Sequence, residues 1–217
     1  MHGALEYASR TKFQGIRRDM NVSAVRALIA ANVIVFVMQS MAKQTLELWF
    51  ALWPLQPIDG HVYFQFWQIL TYAFLHDTNH ITHLLFNMIG LWMFGAEVER
   101  AVGSSRLLSC YFASVVTAAL SQLIIPTLLG GEPSPTIGAS GGVFGLLLAY
   151  AFLFPRRKVI PLFPPIPMPA WLFAALYAGL ELVLGVTGSQ ASVAHFAHLG
   201  GMIGSAIVIV QWRRRRV

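Results

Sequence analysis

Charge is what this sequence has least of: 11% of its 217 residues are Asp, Glu, Lys or Arg, against roughly 25% in ordinary globular chains. So small a supply cannot cover a water-facing surface. The 56% hydrophobic content and mean hydropathy of +0.62 point instead to a polytopic membrane protein. Cysteine is nearly absent. The single Cys110 excludes an intramolecular disulfide and any cysteine-built metal site, and in its apolar run it reads as a packing residue. No internal repeat stands out, which weighs against the repeat-built transporters. No basic stripe is interleaved with aromatics, so the net charge of +6 does not call for nucleic acid as a partner. The first twenty or so residues lack both an apolar stretch and a cleavage signal, and they read as a polar tail rather than a signal or transit peptide.

What the sequence does have is long apolar runs. Six segments can be drawn: Ala24–Met41, Ile81–Val98, Leu107–Leu129, Gly141–Phe154, Ala170–Val186 and Ser192–Trp212. Each is expected to be helical, because a span in hydrocarbon must satisfy its own backbone polar groups. Two are short for a span. The implied organisation is a polar tail over residues 1–22, one membrane core over 23–212 and a basic tail over 213–217.

The fifteen basic residues orient these segments. Arg10, Lys12, Arg17, Arg18 and Arg26 lie at the N-terminal end, Arg100 and Arg106 after the second segment, Arg156, Arg157 and Lys158 after the fourth, and Arg213 to Arg216 at the C-terminal end. All fourteen fall on one side of a six-span chain, and Lys43 alone falls on the other. The positive-inside rule then puts both termini in the cytoplasm. The long first external loop, Ala42 to about Asn79, carries Trp49, Phe50, Trp53, Tyr63, Phe64, Phe66 and Trp67. Such aromatics favour the bilayer interface, so this loop is expected to lie partly submerged. The proline-dense run "VIPLFPPIPMPAW" reads as a stiff cytoplasmic turn, with Pro169 suited to a helix start.

Ionisable and strongly polar groups at membrane depth are expensive, and each is a functional hypothesis by default. With this topology, His83 and Asn87 of "HLLFN", Ser140 of "GASGG", and His195 and His198 of "HFAHLGG" all fall in the outer leaflet. The fourth segment has only fourteen residues, about 21 Å of helix against about 30 Å of hydrocarbon. Anchored below by Pro155 and Arg156, it should begin beneath the outer surface. Ser140 would then sit on the order of 10 Å deep, at a helix N-terminus whose free N–H groups favour a developing anion.

Ser140 has two readings: a small residue in a packing stripe, or a nucleophile. Gly138, Gly141, Gly142 and Gly145, and likewise Gly200, Gly201, Gly204 and Ser205, are small-residue patterns that let helix backbones nearly touch. At about 100° per residue, His198 shares the stripe of Ala194, Gly201 and Ser205, while His195 is turned roughly 120° away. If the two glycine faces meet, His198 is the imidazole that reaches Ser140. A serine hydroxyl needs such a base to become a nucleophile, and its tetrahedral intermediate needs oxyanion donors. His83 and Asn87, one helical turn apart on one face, can supply them together with the Ser140 backbone N–H.

At this point the chain resembles the rhomboid family of intramembrane serine proteases. The matching pieces are "FWQILTYAFLH" leading into "HLLFNMIGLWMFG", then "EVERAVGSSR", "GASGGVFG" and "AHLGGMIGS", in family order and over most of the chain. "GASGG" alone would also fit the nucleophile elbow G-x-S-x-G, but that requires a soluble α/β sheet. The resemblance implies an all-α, six-transmembrane-helix rhomboid-like bundle that hydrolyses peptide bonds of transmembrane protein substrates within the lipid bilayer. It implies Ser140 as nucleophile, His198 as base, His83 and Asn87 as oxyanion donors, and a Ser–His dyad without an acidic third member. Gly138, Gly141, Phe144 and His195 are supporting or substrate-binding positions. Phe144 occupies a place where the family often stacks an aromatic on the base, while His195 is expected at a rim or facing substrate. Glu99 matches a family carboxylate with a structural role. The chain departs from the family at Gln68, where many relatives have Arg, and in "HDTNHITH", about two residues longer than the family spacing. Neither His76 nor His80 is therefore placed in the site.

His76, His80 and His83 have a spacing that suggests metal, with Asp77 adjacent, but no cysteine or second histidine cluster completes a four-ligand set, and no metal or cofactor is expected. Glu181, buried in the fifth segment, is open to two readings, a hydrogen bond to a neighbouring helix or a part in gating access, and nothing in the sequence makes it catalytic. A rhomboid-like protein that binds membrane proteins without cutting them is the alternative, and a transporter using histidines as a proton relay is a third reading. Short tails and the lack of a transit peptide lead to the expectation of a multi-pass bacterial plasma-membrane protein.

Overall fold

The computed structural model describes residues 23–56, 64–130, 134–161, 164–188 and 194–214. The expected polar tail (1–22), Tyr63, the start of the sixth segment at Ser192 and the end of the basic tail (215–217) lie outside the described residues. The described residues are mostly helical. Among the described residues, four helices are long and apolar enough to cross a membrane: α1 (Ala24–Met41), the stretch Ile81–Val102, α6 (Ser104–Leu128) and α8 (Ala170–Thr187). A shorter apolar helix, α7, runs Ser140–Leu153, and the last, α9, runs His195–Arg214. The first loop holds α2 (Lys43–Phe50) and α3 (Gln68–Thr71), with a 3-10 turn at Tyr72–Phe74.

α1 begins where two side chains replace the missing helical acceptors. Ser23 accepts from the Arg26 N–H, and the Glu99 carboxylate accepts from the Ala24 and Val25 N–H groups at 2.6 and 3.3 Å. Glu99 also takes the Ser23 and Ser104 hydroxyls, tying the start of α1 to the start of α6. The second span was expected to end at Val98. It runs on as α4 (Ile81–Gly90), a π-helical turn at Leu91–Gly95 and α5 (Ala96–Val102), which carries Glu99 to that junction.

α7 is the central helix. Most of its side chains are buried, whereas the outer helices turn large apolar groups outward: Ile34 is 59% exposed, Trp92 55% and Val183 58%. Apolar groups outside and small ones inside suit a protein dissolved in lipid, where close van der Waals packing holds helices together. α9 lies in a groove between α6 and α7. Added Cβ atoms on Gly200 and Gly204 would collide with Ser121, Thr117 and Ala113 of α6, and one on Gly201 would overlap the Gly141 carbonyl of α7.

Two loop readings change. The first loop contains the eight-residue α2, not anticipated from the sequence, and its aromatics remain on the outside: Trp49 is 53% and Phe66 76% exposed, with Trp49 and Trp67 stacked 6.5 Å apart. The proline-dense connection forms a small antiparallel pair, β1 (Lys158–Val159) with β2 (Met168–Pro169). Pro169 is the N-cap of α8.

Candidate active site

Ser140 is the first residue of α7, and the strand-like segment before it is held from two sides. Thr136 exchanges both backbone hydrogen bonds with Leu52, each at 2.9 Å, and the Gly138 N–H donates to the Tyr72 carbonyl at 3.0 Å. Gly138 has φ +127°, a conformation that L side chains rarely adopt. A turn so fixed delivers Ser140 to a helix N-terminus whose first N–H groups have no intrahelical acceptor.

The Ser140 hydroxyl lies 2.8 Å from His198 Nε2 on α9. With the hydroxyl donating, Nε2 is the unprotonated ring nitrogen and Nδ1 carries the hydrogen. The Phe144 ring, one turn along α7, stacks on His198 with centroids 4.3 Å apart and planes 3° from parallel. His198 is 8% exposed, so its plane is set by Phe144 on one face and its Nε2 by Ser140.

His83 faces the same turn. A Cβ on Gly138 would come within 2.8 Å of His83 Nε2 and 3.8 Å of Ser140 Oγ. His83 Nδ1 accepts from the Asp77 N–H at 3.3 Å, which leaves Nε2 as the protonated nitrogen directed at the Ser140 turn. Asn87 is 5% exposed and donates one amide hydrogen to the His83 carbonyl, leaving its second free to donate elsewhere. Asp77 is itself held by His80, 2.7 Å away, and this hydrogen bond keeps its carboxyl below the ordinary range.

Of the two sequence readings of Glu181, the structure bears out the hydrogen bond to a neighbouring helix; its closeness to His198 has no counterpart in the sequence. Glu181 on α8 is 7% exposed, with Oε2 2.6 Å from His195 Nδ1 and 3.0 Å from His198 Nδ1. The His195 contact is a hydrogen bond. The His198 contact has the distance of an ion pair without the alignment of a hydrogen bond. Two expectations are corrected here. His195 is 5% exposed, not at a rim, because α8 packs on the flank of α9 that helical phase turns away from Ser140. The serine–histidine pair is also not without a neighbouring acid. The available signal was that Glu181 is the sole Asp, Glu, Lys or Arg in its span.

Among the described residues, the group whose ligand atoms converge within 4.8 Å is Glu181, His195 and His198, not the His76, His80 and His83 spacing. His80 turns outward to Asp77, 75% exposed. His76 and His83 rings sit 5.1 Å apart. A zinc ion with ligands at about 2.1 Å in tetrahedral array separates them by about 3.4 Å. The 2.6 Å between Glu181 and His195 is a hydrogen-bond distance instead.

Residues 63–215 match the Rhomboid domain family. The chain is 32% identical over 178 residues to "Rhomboid protein 1, mitochondrial" of Saccharomyces cerevisiae, covering 82% of this chain and 49% of that protein. It is 31% identical over 206 residues to "RHOMBOID-like protein 12, mitochondrial" of Arabidopsis thaliana, covering 88% and 58%. Against "Rhomboid protease GluP" of Bacillus subtilis it is 30% identical over 142 residues, covering 64% and 25%. The chain thus spans between a quarter and three-fifths of the length of these curated relatives. Two of the three carry mitochondrial names, so the expected bacterial plasma membrane gains no support; a multi-pass membrane protein stands.

Proposed function

The chain belongs to the rhomboid family, and on that premise we propose that it is an intramembrane serine endopeptidase, with Ser140 as nucleophile and His198 as general base. The observation that carries this is the 2.8 Å contact between Ser140 Oγ and His198 Nε2, made between helices 58 residues apart in sequence. A part-buried serine–imidazole pair with the accepting nitrogen toward the hydroxyl is the arrangement that activates a serine.

In the proposed reaction, Oγ attacks the carbonyl carbon of a substrate peptide bond as its proton passes to His198 Nε2. The oxyanion that forms is met by the Ser140 backbone N–H, the His83 Nε2–H and the free Asn87 amide hydrogen. Such donors are worth about 10²–10³ in rate each. The C–N bond then breaks, with His198 giving the proton to the departing amine. Water donates a proton back to Nε2 while attacking the acyl carbon; release of the acid returns the hydrogen to Ser140.

The core we propose is a six-span bundle over residues 23–212 with both termini cytoplasmic, made of the four long apolar spans with α7 and α9. Its orientation rests on the basic residues at one side, and it puts the site near the outer face. Substrates are transmembrane proteins whose helix unwinds locally at the cleaved bond, favouring small or helix-breaking residues there.

Labelling of the purified chain with a fluorophosphonate tests this. Modification is expected at Ser140 and lost in Ser140→Ala and His198→Ala; labelling that survives Ser140→Ala sinks the assignment. Labelling without turnover across a panel of transmembrane substrates would favour the non-cutting, membrane-protein-binding reading.

A further inference from the structure

Glu181 stands in the middle of a lipid-facing helix. Its neighbours Leu180, Leu182 and Val183 are 51%, 52% and 58% exposed, while Glu181 is 7% exposed and turned inward. A carboxylate at that depth is retained only against partners, and its partners are two imidazoles of α9. One turn further along α8, Gly185 allows the approach: an added Cβ there would already press on His195 Cβ and the Phe196 ring at 3.2 Å.

From these contacts we propose that Glu181 is the positioning carboxylate of the site, acting on Ser140 through His198. The proposal rests on the protease reading above. The order of atoms is Ser140 Oγ, His198 Nε2, His198 Nδ1, Glu181 Oε2, with separations of 2.8 Å at the first contact and 3.0 Å at the last. A carboxylate at Nδ1 keeps the hydrogen on that nitrogen, so Nε2 is open to the serine proton, and it offsets the positive charge the ring acquires when that proton arrives. The serine proton goes to Nε2, and none passes on to Glu181.

The arrangement differs from a simple serine triad in one respect. The same oxygen is hydrogen-bonded to His195 Nδ1 at 2.6 Å, so His195 fixes the carboxylate in place while the His198 contact remains electrostatic and off the N–H axis. The charge does not depend on a linear bond to act across 3.0 Å in a low-dielectric interior. His195 is then a residue that holds Glu181, which accounts for its burial away from Ser140.

The test is the inactivation kinetics of the full chain with a fluorophosphonate, separating the bond-forming rate constant kinact from the reversible affinity KI, with melting temperature measured alongside. Glu181→Gln keeps the shape and removes the charge. It is expected to lower kinact about 30-fold or more, with KI within about two-fold and melting little changed; loss of the corresponding acid in a soluble triad costs about 10⁴. Glu181→Asp, which restores the charge, should recover most of that loss. A purely architectural role predicts loss that follows melting temperature, with Asp no better than Gln. Should the Gln variant not accumulate, Glu181→Leu reads the same quantity, since an apolar group in a span is the substitution least costly to insertion. Wild-type kinact in Gln or Leu overturns the proposal. Failure of the wild-type chain to label at Ser140 would instead remove the protease reading, and this proposal with it.

Discussion

Gly201 of α9 faces Gly141 of α7 so closely that a single added carbon would overlap the Gly141 carbonyl oxygen. The obstacle is backbone, which cannot swing aside as a flexible side chain does. Because Gly141 follows Ser140 and Gly201 lies one turn beyond His198, this contact sets the distance between hydroxyl and imidazole. Gly201→Ala is expected to cost about 1–3 kcal/mol as an overpacking change, lower the melting temperature and reduce fluorophosphonate labelling by at least ten-fold. Gly179→Ala, on exposed α8 with nothing within 4 Å of its added Cβ, should leave both near wild type.

Gly138 carries a second steric limit. Its φ of +127° strains any L residue, and its Cβ would come within 2.8 Å of His83 Nε2. Backbone strain of this kind costs of order 1–3 kcal/mol. Gly138→Ala should therefore move His83 or the turn before Ser140, giving a chain that inserts and keeps its helical circular dichroism while labelling falls by ten-fold or more. Labelling at the wild-type rate would show that the His83 position is not needed.

The sequence carried some of this and withheld the rest for identifiable reasons. The first segment, Ala24–Met41, matches α1 residue for residue, because an apolar run bounded by Ser23 marks its own start. The glycine faces were legible too, since small residues at helical spacing have few uses other than close approach. Glu181 was not. Its relation to His198 joins two separate helices, α8 and α9, and phase along α8 alone does not say which neighbour its inward face meets. His195 failed for the same reason: phase measured from Gly201 turned it off the α7 face without revealing that α8 covers that flank. α2 escaped because an aromatic interfacial loop and a short interfacial helix have the same composition.

Glu99 gathers four donors: the Ser23 and Ser104 hydroxyls and the Ala24 and Val25 N–H groups. Charge-assisted hydrogen bonds contribute about 1.5–3 kcal/mol, and here they close both the N-terminus of α1 and the turn into α6. Glu99→Ala should lower the melting temperature in detergent and increase proteolysis near Ser23. Labelling per folded molecule at a temperature well below melting should stay within about two-fold of wild type, as the carboxylate is remote from Ser140.

His76 makes stability depend on pH. The side chain is fully buried, and burial, with His83 beside it, pushes its pKa from 6.5 down to about 4. The folded chain therefore keeps His76 neutral where the unfolded chain already binds a proton. Stability is fully present above pH 6.5 and declines as pH falls from 6.5 toward 4, by at most about 3 kcal/mol at 1.36 kcal/mol per pH unit. Thermal melting in detergent should show a drop across that window, and His76→Phe, which cannot titrate, should flatten the curve there. A curve of equal slope in both proteins would assign the acid sensitivity to another group.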